Sequence, residues 1–461
     1  MSVSEKHPQY AAYAPLWRRT DDACDGGPTL EKRKADYLIQ PFSEDEPERF
    51  QVFCDGAYYV NFSGRTEATL SGMVFRKPPS YSLPSELEYL IENMDGGGES
   101  LEQVAKRGLK EVLRKRRFLI LVDAGQAPDN ATKEEKDALD VLPFCATYRA
   151  EDLINWHFET VNGKRKLALA VLRESVNIAT DEFGHDYEDQ YRVLRLRPDG
   201  YTQQLYRANE QPATEEIYIT TRKGRKLDYI PLHGVRPLET SPLLPLVNIN
   251  LAHYRNTASI EDLAALVSGA NLHLDIGQTD MGEYKALNPG TFKLGGRTGT
   301  LTKGGKLEIV QADDRQLSRA VRDDKVSEMV AIGAAIIQRQ GQSETAEAAR
   351  IAASSQTSQL DLLVNDLSED MEAAFESCAE LLDIDPNSVE FKLSQDFWEA
   401  SLDAQTLQAI IQGRTTGLYG DKTALHMIRK GKIELPEGVT DEEIQDDAAN
   451  SFANIGPDPV I

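Results

Sequence analysis

The sequence is poor in cysteine and in long apolar runs. Its four cysteines, at positions 24, 54, 145 and 378, form no CxxC pair, which argues against a structural zinc site or a disulfide framework. No run of about 18 apolar residues occurs, so we expect no membrane-spanning helix. The N-terminal segment lacks the apolar core of a secretory signal, so we expect the protein to stay in the compartment where it is made.

Positive charge is also scarce. The formal net charge is −24, which argues against tight, sequence-specific binding of nucleic acid because such binding needs a basic surface. Strong negative charge is compatible with a protein that nucleic acid passes without adhering. It is equally compatible with an acidic surface that keeps an ordinary protein in solution.

Recognisable catalytic motifs are missing as well. The glycine-rich stretch 294–305 resembles a phosphate-binding loop, but Lys303 is followed by two glycines instead of a hydroxyl residue, so we interpret it as a β-turn. The histidines show no HExxH spacing and no GxSxG motif occurs. The sequence therefore predicts no catalytic residue, no cofactor and no metal, and we expect a protein that is not an enzyme. The alternative is a soluble hydrolase or transferase built on residues 143–240.

The first half of the chain changes from helical to β-rich patterns. Residues 46–75 predict one long helix, and residues 82–117 predict two helices around the glycines at 96–98. A continuous apolar run at 118–125 predicts a strand. Period-2 runs separated by turns at 143–240 predict a mostly antiparallel sheet. The fold class predicted is α+β.

A long helix is predicted at 241–268, and it carries two apolar stripes. The first stripe consists of Leu244, Val247, Leu251 and Tyr254, and the second of Ile260, Leu263 and Val267. A helix that is apolar on more than one side needs neighbours on more than one side. It is either the core helix of a globular enzyme or a helix in an assembly.

Two further helices follow a short, glycine-rich segment. Residues 269–312 predict a small β-excursion with a locally basic surface formed by Lys293, Arg297, Lys303 and Lys306. Residues 313–338 predict a second long helix, which the segment 339–344 interrupts. A third helix is predicted at 345–382, where apolar residues recur at near-heptad spacing. The acidic tail beyond 435 has the composition of a mobile segment.

One dense basic patch occurs in this acidic chain. It comprises Arg107, Lys110, Arg114, Lys115 and Arg117. We interpret it either as a surface that forms ion pairs with a neighbouring subunit or as a contact to phosphate.

Three stretches resemble a known family. PLLPLVNINLAHYRN (242–256) resembles a helix of phage portal proteins, and VSEMVAIGAAIIQ with SETAEAARIAASSQTSQL (326–338 and 343–360) resembles the segment that follows the clip. LSQDFWEASLDAQTLQAIIQGRTTGLYGDKTALHMIRKGKI (393–433) resembles the C-terminal portal segment. Two long helices that bracket a small β-module also resemble a portal stem and clip. One departure is Tyr419-Gly420-Asp421, which weakens a turn motif only.

The resemblance implies a portal-type fold with an α/β wing, a two-helix stem, a clip and a helical crown. Residues 1–240 and 345–395 would form the wing, and 241–268 and 313–338 the two stem helices. Residues 269–312 would form the clip, 339–344 the tunnel loop, and 396–461 the crown and acidic tail. The tunnel-loop contacts to DNA would be Gln338, Arg339, Gln340 and Gln342, although a solvated turn between helices is the rival interpretation.

The resemblance also implies a function. Portal proteins form a ring, typically of twelve subunits, at one vertex of the viral capsid. Double-stranded DNA passes through the ring during packaging and ejection. The implied partners are the major capsid protein, the large terminase subunit and the head–tail adaptor or tail proteins, and the implied location is the virion after assembly in the host cytoplasm. The basic clip residues would contact either acidic partners or neighbouring clips. Another head–tail connector ring is a second alternative.

Overall fold

The structure is a computed structural model. It describes residues 2–39, 47–124, 142–161, 163–179, 182–268, 272–275, 280, 282–283, 306–309, 316–337, 359–397 and 412. By its internal contacts the chain divides into a large unit, formed by residues 1–72 and 79–393, and a small unit, formed by 73–78 and 394–461. In the small unit the Lys77 ammonium lies 2.5 Å from the Asp396 carboxylate.

The N-terminal region is helical. Its helices are α1 (Pro8–Asp25), α2 (Gly27–Lys32), α3 (Lys34–Tyr37), α4 (Pro47–Gly56) and α5 (Phe62–Val74). The single helix expected at 46–75 is therefore wrong, because the chain breaks between α4 and α5. Asn61 causes the break: its side chain accepts from the amide of Gly64 and donates to the carbonyl of Cys24, which caps the new helix start.

A short strand and a capped helix follow. Strand β1 (Ser80–Ser82) precedes a single 3-10 turn (Ser85–Leu87), helix α6 (Tyr89–Glu92) and helix α7 (Leu101–Lys115). Only the second of the two helices expected at 82–117 is long. Ser100 and Gln103 form a capping box at the start of α7, and its apolar face is buried.

Two sheets contain most of the β-structure. Strands β2 (Phe118–Ala124), β3 (Pro143–Arg149) and β9 (Leu232–His233) form an antiparallel sheet in the order β3-β2-β9. The second sheet has five antiparallel strands in sequence order: β4 (Leu153–Val161), β5 (Lys164–Asn177), β6 (Tyr187–Arg197), β7 (Gly200–Tyr206) and β8 (Ile217–Tyr218). The expected strand at 118–125 and the mostly antiparallel region at 143–240 are confirmed.

Three long helices and three short strands complete the described chain. They are α8 (Leu244–Ser268), β10 (Leu272–Asp275), β11 (Lys306–Ile309), α9 (Gln316–Ile337), α10 (Gln359–Leu381) and β12 (Glu390–Lys392), which pairs with β1. The apolar seam expected on the third helix is buried, and α10 packs on α7 and on strands β2, β3 and β9. The mixed α and β content confirms the α+β class; residues 345–358 lie outside the described residues.

Candidate functional site

The two long helices that flank the expected clip lie side by side. The chain leaves along α8, forms the antiparallel pair of β10 and β11, and returns along α9. The ammonium of Lys325 on α9 donates to the carbonyl of Ala252 on α8 at 3.3 Å. Met329 on α9 is buried, with 2% of its surface exposed. We call α8 and α9, which contact each other along part of their length, the helix pair.

The first apolar stripe of α8 anchors the helix pair to the N-terminal helices. Val247, Leu251 and Tyr254 are buried, while Leu244 is half-buried. Tyr254 packs edge-to-face on Tyr59 with ring centroids 5.5 Å apart. This stripe lies on the side of α8 that contacts α1 and α4, so it packs within the subunit.

Asn250 fixes the same part of α8 through hydrogen bonds. Its side chain is fully buried, and its oxygen accepts from the amides of Phe62 and Ser63 at 3.1 and 3.0 Å. The same oxygen accepts from the hydroxyl groups of Ser63 and Tyr59, and the side-chain nitrogen donates to the carbonyl of Val60. Asn250 thus supplies, from α8, the acceptor that the first amides of α5 need.

The far half of the helix pair is much less covered. Ile260 and Leu263, which belong to the second stripe, are half-buried; the side chain of Val267 lies outside the described residues. On α9, Asp323, Ser327 and Val330 recur at helical spacing and are all exposed, with Val330 at 63%. Val330 lies between Lys325, which contacts α8, and Gly333, which lies beside Thr66 of α5, so it belongs to the anchored part. The pair is therefore anchored at one end, with the half-buried side chains of Ile260 and Leu263 beyond the anchor.

The predicted basic patch is corrected by the structure, because it is not one continuous surface. Arg114 and Lys115 are 4% and 0% exposed. The Lys115 ammonium lies within 3.0 Å of carboxylates of Asp21, Glu111 and Glu151. Together these five residues form what we call the charge cluster, in which buried cations are balanced by buried carboxylates of the same subunit.

Two neighbours of the charge cluster hold Arg114. Its guanidinium binds Glu67 through two nitrogens, at 2.5 and 2.8 Å, and also reaches Asp25 at 2.7 Å. These carboxylates raise the pKa of Arg114 even though burial opposes the charge. Burial raises the pKa of Glu151. A run of cations in sequence thus becomes a buried link between α7, α1 and α5.

The other members of the predicted patch have different surroundings. Arg117 is 2% exposed, and its guanidinium carbon lies 4.6 Å from the centroid of the Trp156 ring. The guanidinium also donates to the carbonyl of Arg236. Burial lowers the pKa of Arg117 to about 10. Arg107 and Lys110 are exposed on α7, and Arg107 pairs with Glu99. Only these two residues remain accessible to a partner in the way the sequence predicted.

Most of the clip and tunnel-loop residues cannot be located. Lys293, Arg297 and Lys303, and the tunnel-loop residues Gln338, Arg339, Gln340 and Gln342, lie outside the described residues. Lys306 occupies the first position of β11, opposite Asp275 of β10. The assignment of these residues to clip and tunnel loop stays a prediction.

One polar group that sequence reasoning missed joins β9 to α10. The hydroxyl of Ser377 lies 2.9 Å from Nε2 of His233 and 2.9 Å from the hydroxyl of Tyr229, which donates to Glu380 at 2.8 Å. A serine beside an imidazole is the arrangement of a nucleophile and its base. Ser377, however, is 2% exposed, and burial lowers the pKa of His233 to about 4. We interpret the group as a hydrogen-bonded tie within the core.

Within the described residues, no group of three or more His, Cys, Asp and Glu side chains is arranged to hold a metal ion. Among the same residues, no helix combines the length and apolarity required to cross a membrane.

Comparisons with known proteins locate the similarity in the helix pair and α10. Residues 242–382 match the family described as "Domain of unknown function (DUF4055)", a segment that is under half of the chain. No curated protein is detectably similar to the sequence. The chain is also similar to a solved structure described as "Neck of empty GTA particle computed with C6 symmetry", at 12% identity and a TM-score of 0.35, over 79% of this chain and 89% of that chain. Structural similarity at such low identity and TM-score supports no statement about function. The family match covers a segment that begins at the helix pair and ends with α10.

Proposed function

We propose that this protein is a structural protein of a phage-like particle that assembles into a ring at the junction of head and tail. Within that class we propose a portal protein, whose ring conducts double-stranded DNA during packaging and ejection. The observation that carries the proposal is the helix pair, in which α8 and α9 contact each other and the antiparallel β10–β11 pair falls between them in the chain. This feature has the element order of a portal stem and clip.

The exposure pattern along the helix pair supports assembly with further copies. Its anchored part is covered by α1, α4 and α5, although Val330 on the outer face of α9 is 63% exposed, and beyond that part Ile260 and Leu263 are only half-buried in one subunit. Apolar side chains grouped on a surface mark contacts with other macromolecules. Neighbouring copies of the same helix pair would cover them in a ring.

The charge of the chain supports DNA passage. Each subunit carries a net charge of −24, so a ring multiplies negative potential around its axis. Such a potential disfavours adhesion of DNA phosphates to the wall. In this proposal Arg339 and the glutamines at 338, 340 and 342 supply the few direct contacts to passing DNA.

The remaining predicted residues receive partner roles in the proposal. Lys293, Arg297, Lys303 and Lys306 would belong to the clip, which docks the large terminase subunit and later the adaptor. Arg107 and Lys110, the exposed part of the predicted basic patch, would contact a neighbouring subunit or DNA phosphate.

The experiment that tests the proposal combines mass and imaging. Native mass spectrometry and negative-stain electron microscopy of the purified protein should reveal closed rings with a central channel. A protein that stays monomeric or dimeric at every concentration, without rings, would refute it. Portal and connector rings are then separated by deletion of residues 339–344 in the producing phage or prophage. Rings should persist while DNA packaging or retention fails; loss of assembly itself would contradict the tunnel-loop assignment.

A further inference from the structure

A two-stranded ribbon extends from the five-stranded sheet. Strand β4 pairs with β5 no further than Leu172, and β7 pairs with β6 no further than Tyr191. Beyond those positions β5 and β6 pair only with each other, up to the pair of Asn177 and Tyr187. We call residues 174–190 the acidic ribbon; residues 180 and 181 lie outside its described part.

The acidic ribbon exposes apolar side chains on both faces. Val176 and Ile178 lie on one face, at 37% and 45% exposure, and Tyr187 lies on the other at 59%. Phe183 at the turn is 81% exposed. An isolated two-stranded ribbon is at best marginally stable in water, so this exposure indicates that the ribbon is covered by a partner.

The charge of the ribbon restricts what that partner is. No lysine or arginine occurs between residues 174 and 191. Glu182, Asp186, Glu188 and Asp189 are all exposed, and none forms an ion pair within the described chain. The partner surface must therefore offer cations together with apolar or aromatic area.

The opposite end of the same five-stranded sheet offers such cations beside aromatic rings. Lys164 and Arg165 lie at the turn that joins β4 to β5. The loop after β8 crosses the same end, because Lys226 packs against Gly200 at the start of β7 and Lys166 donates to the carbonyl of Asp228. We call the exposed residues Lys164, Arg165, Lys223 and Lys226 the basic rim.

The basic rim combines uncompensated cations with aromatic rings. Its four side chains form no ion pair with a carboxylate of the described chain. The Arg165 guanidinium lies 4.2 Å from the ring centroid of Phe158, and the Lys226 ammonium lies 3.5 Å from that of Tyr218. In a chain with a net charge of −24, a surface with free cations is unusual.

We propose that the acidic ribbon of one copy docks on the basic rim of a neighbouring copy. Residues 166–173 of β5 separate the two surfaces by about 30 Å at the rise of an extended strand, so one copy cannot satisfy its own ribbon. The contact joins two different surfaces of identical chains, which is the heterologous contact that closes a ring. The inference rests on the proposed ring and identifies one contact that holds it together.

Charge reversal on each side tests the contact. A ribbon variant carries Glu182→Lys, Asp186→Lys and Glu188→Lys, and a rim variant carries Lys164→Glu, Lys223→Glu and Lys226→Glu. Each variant alone should need about tenfold higher protein concentration, or more, to form rings. An equimolar mixture of the two variants should form rings again. In such a ring the two variants alternate: the reversed ribbon of one docks on the reversed rim of the other, and at the next contact an intact ribbon docks on an intact rim.

The control keeps the change in net charge but moves it elsewhere. Glu86→Lys, Glu88→Lys and Glu92→Lys alter three exposed carboxylates outside the ribbon, and this variant should form rings as the wild type does. Ring formation is measured by native mass spectrometry, and folding of every variant by circular dichroism.

The remaining outcomes separate failure of the proposed ring from failure of the docking contact. Wild-type protein without rings would refute the proposed function itself. Wild-type rings together with rings of both variants would refute only the docking contact. A mixture that does not recover rings, or a control variant that loses them as strongly, would also refute the docking contact.

Discussion

The anchoring of the helix pair by Asn250 leads to a quantitative prediction. Its side-chain oxygen accepts from two backbone amides at the start of α5 and from two hydroxyl groups, and its nitrogen donates to the carbonyl of Val60. Asn250→Ala removes all of these bonds at a site where Asn250 and Ser63 are fully buried and Tyr59, Val60 and Phe62 are half-buried. A buried polar group left without a partner costs about 1–3 kcal/mol, and groups that share one acceptor do not add fully. We therefore expect the free energy of unfolding to fall by about 3–5 kcal/mol.

A residue two positions away provides the control. Asn248 is exposed and accepts one hydrogen bond, from Arg19 at 3.4 Å, so Asn248→Ala should change stability by less than about 0.5 kcal/mol. Urea unfolding is followed at equal, low protein concentrations, because assembly adds stability by mass action. If Asn250→Ala cost no more than Asn248→Ala, the anchoring role of this residue would be refuted.

Three further predictions concern the interior of the subunit. Lys115→Met removes the buried ammonium shared by Asp21, Glu111 and Glu151, which still have the guanidinium of Arg149 within 3.7 Å. Urea unfolding should therefore show a loss of about 3 kcal/mol at pH 7, the lower end of the range for a broken buried ion pair. Burial raises the pKa of Glu151, so this loss should narrow at pH 5 as that carboxylate takes up a proton, and a constant difference would contradict the prediction. Burial lowers the pKa of His233 to about 4, so below pH ~6.5 the unfolded chain binds more protons than the folded chain. The free energy of unfolding should therefore fall by about 3 kcal/mol as the pH falls from about 6.5 to about 4. The His233→Gln variant should not show this fall. A Cβ on Gly64 would lie 2.3 Å from the carbonyl oxygen of Cys24, whereas a Cβ on Gly56 meets nothing within 4 Å. Gly64→Ala should therefore clearly lower the melting temperature. Gly56→Ala should not lower it, since alanine favours helix.

Periodic patterns predicted much of the secondary structure. The strand at 118–125, the antiparallel region at 143–240 and the long helix from 241 follow from alternation and from 3.6-residue spacing, which report directly which side of an element is buried. The break between α4 and α5 was missed, although Asn61 caps the start of α5 locally, and the amides of Phe62 and Ser63 are bound by Asn250, which is almost 190 residues away. A partner so remote in sequence leaves no local signal.

The basic patch shows the same limit for the candidate site. The charges of Arg114 and Lys115 are visible in the sequence, but the carboxylates that the fold brings to them from α1, α5 and the turn before β4 are not. The pairing of Ser377 with His233 was missed for the same reason. The acidic ribbon had a usable signal, since 174–191 contains acidic residues and no lysine or arginine, but only the strand register shows that it projects alone.

We propose that the subunit forms a ring around DNA through its helix pair. Electron microscopy of the purified protein, combined with its native mass, tests this directly. We expect closed rings with a central channel, in which the helix pairs of adjacent copies are in contact. A monomer or dimer at all concentrations, or rings in which the helix pairs point away from one another and from the channel, would contradict it.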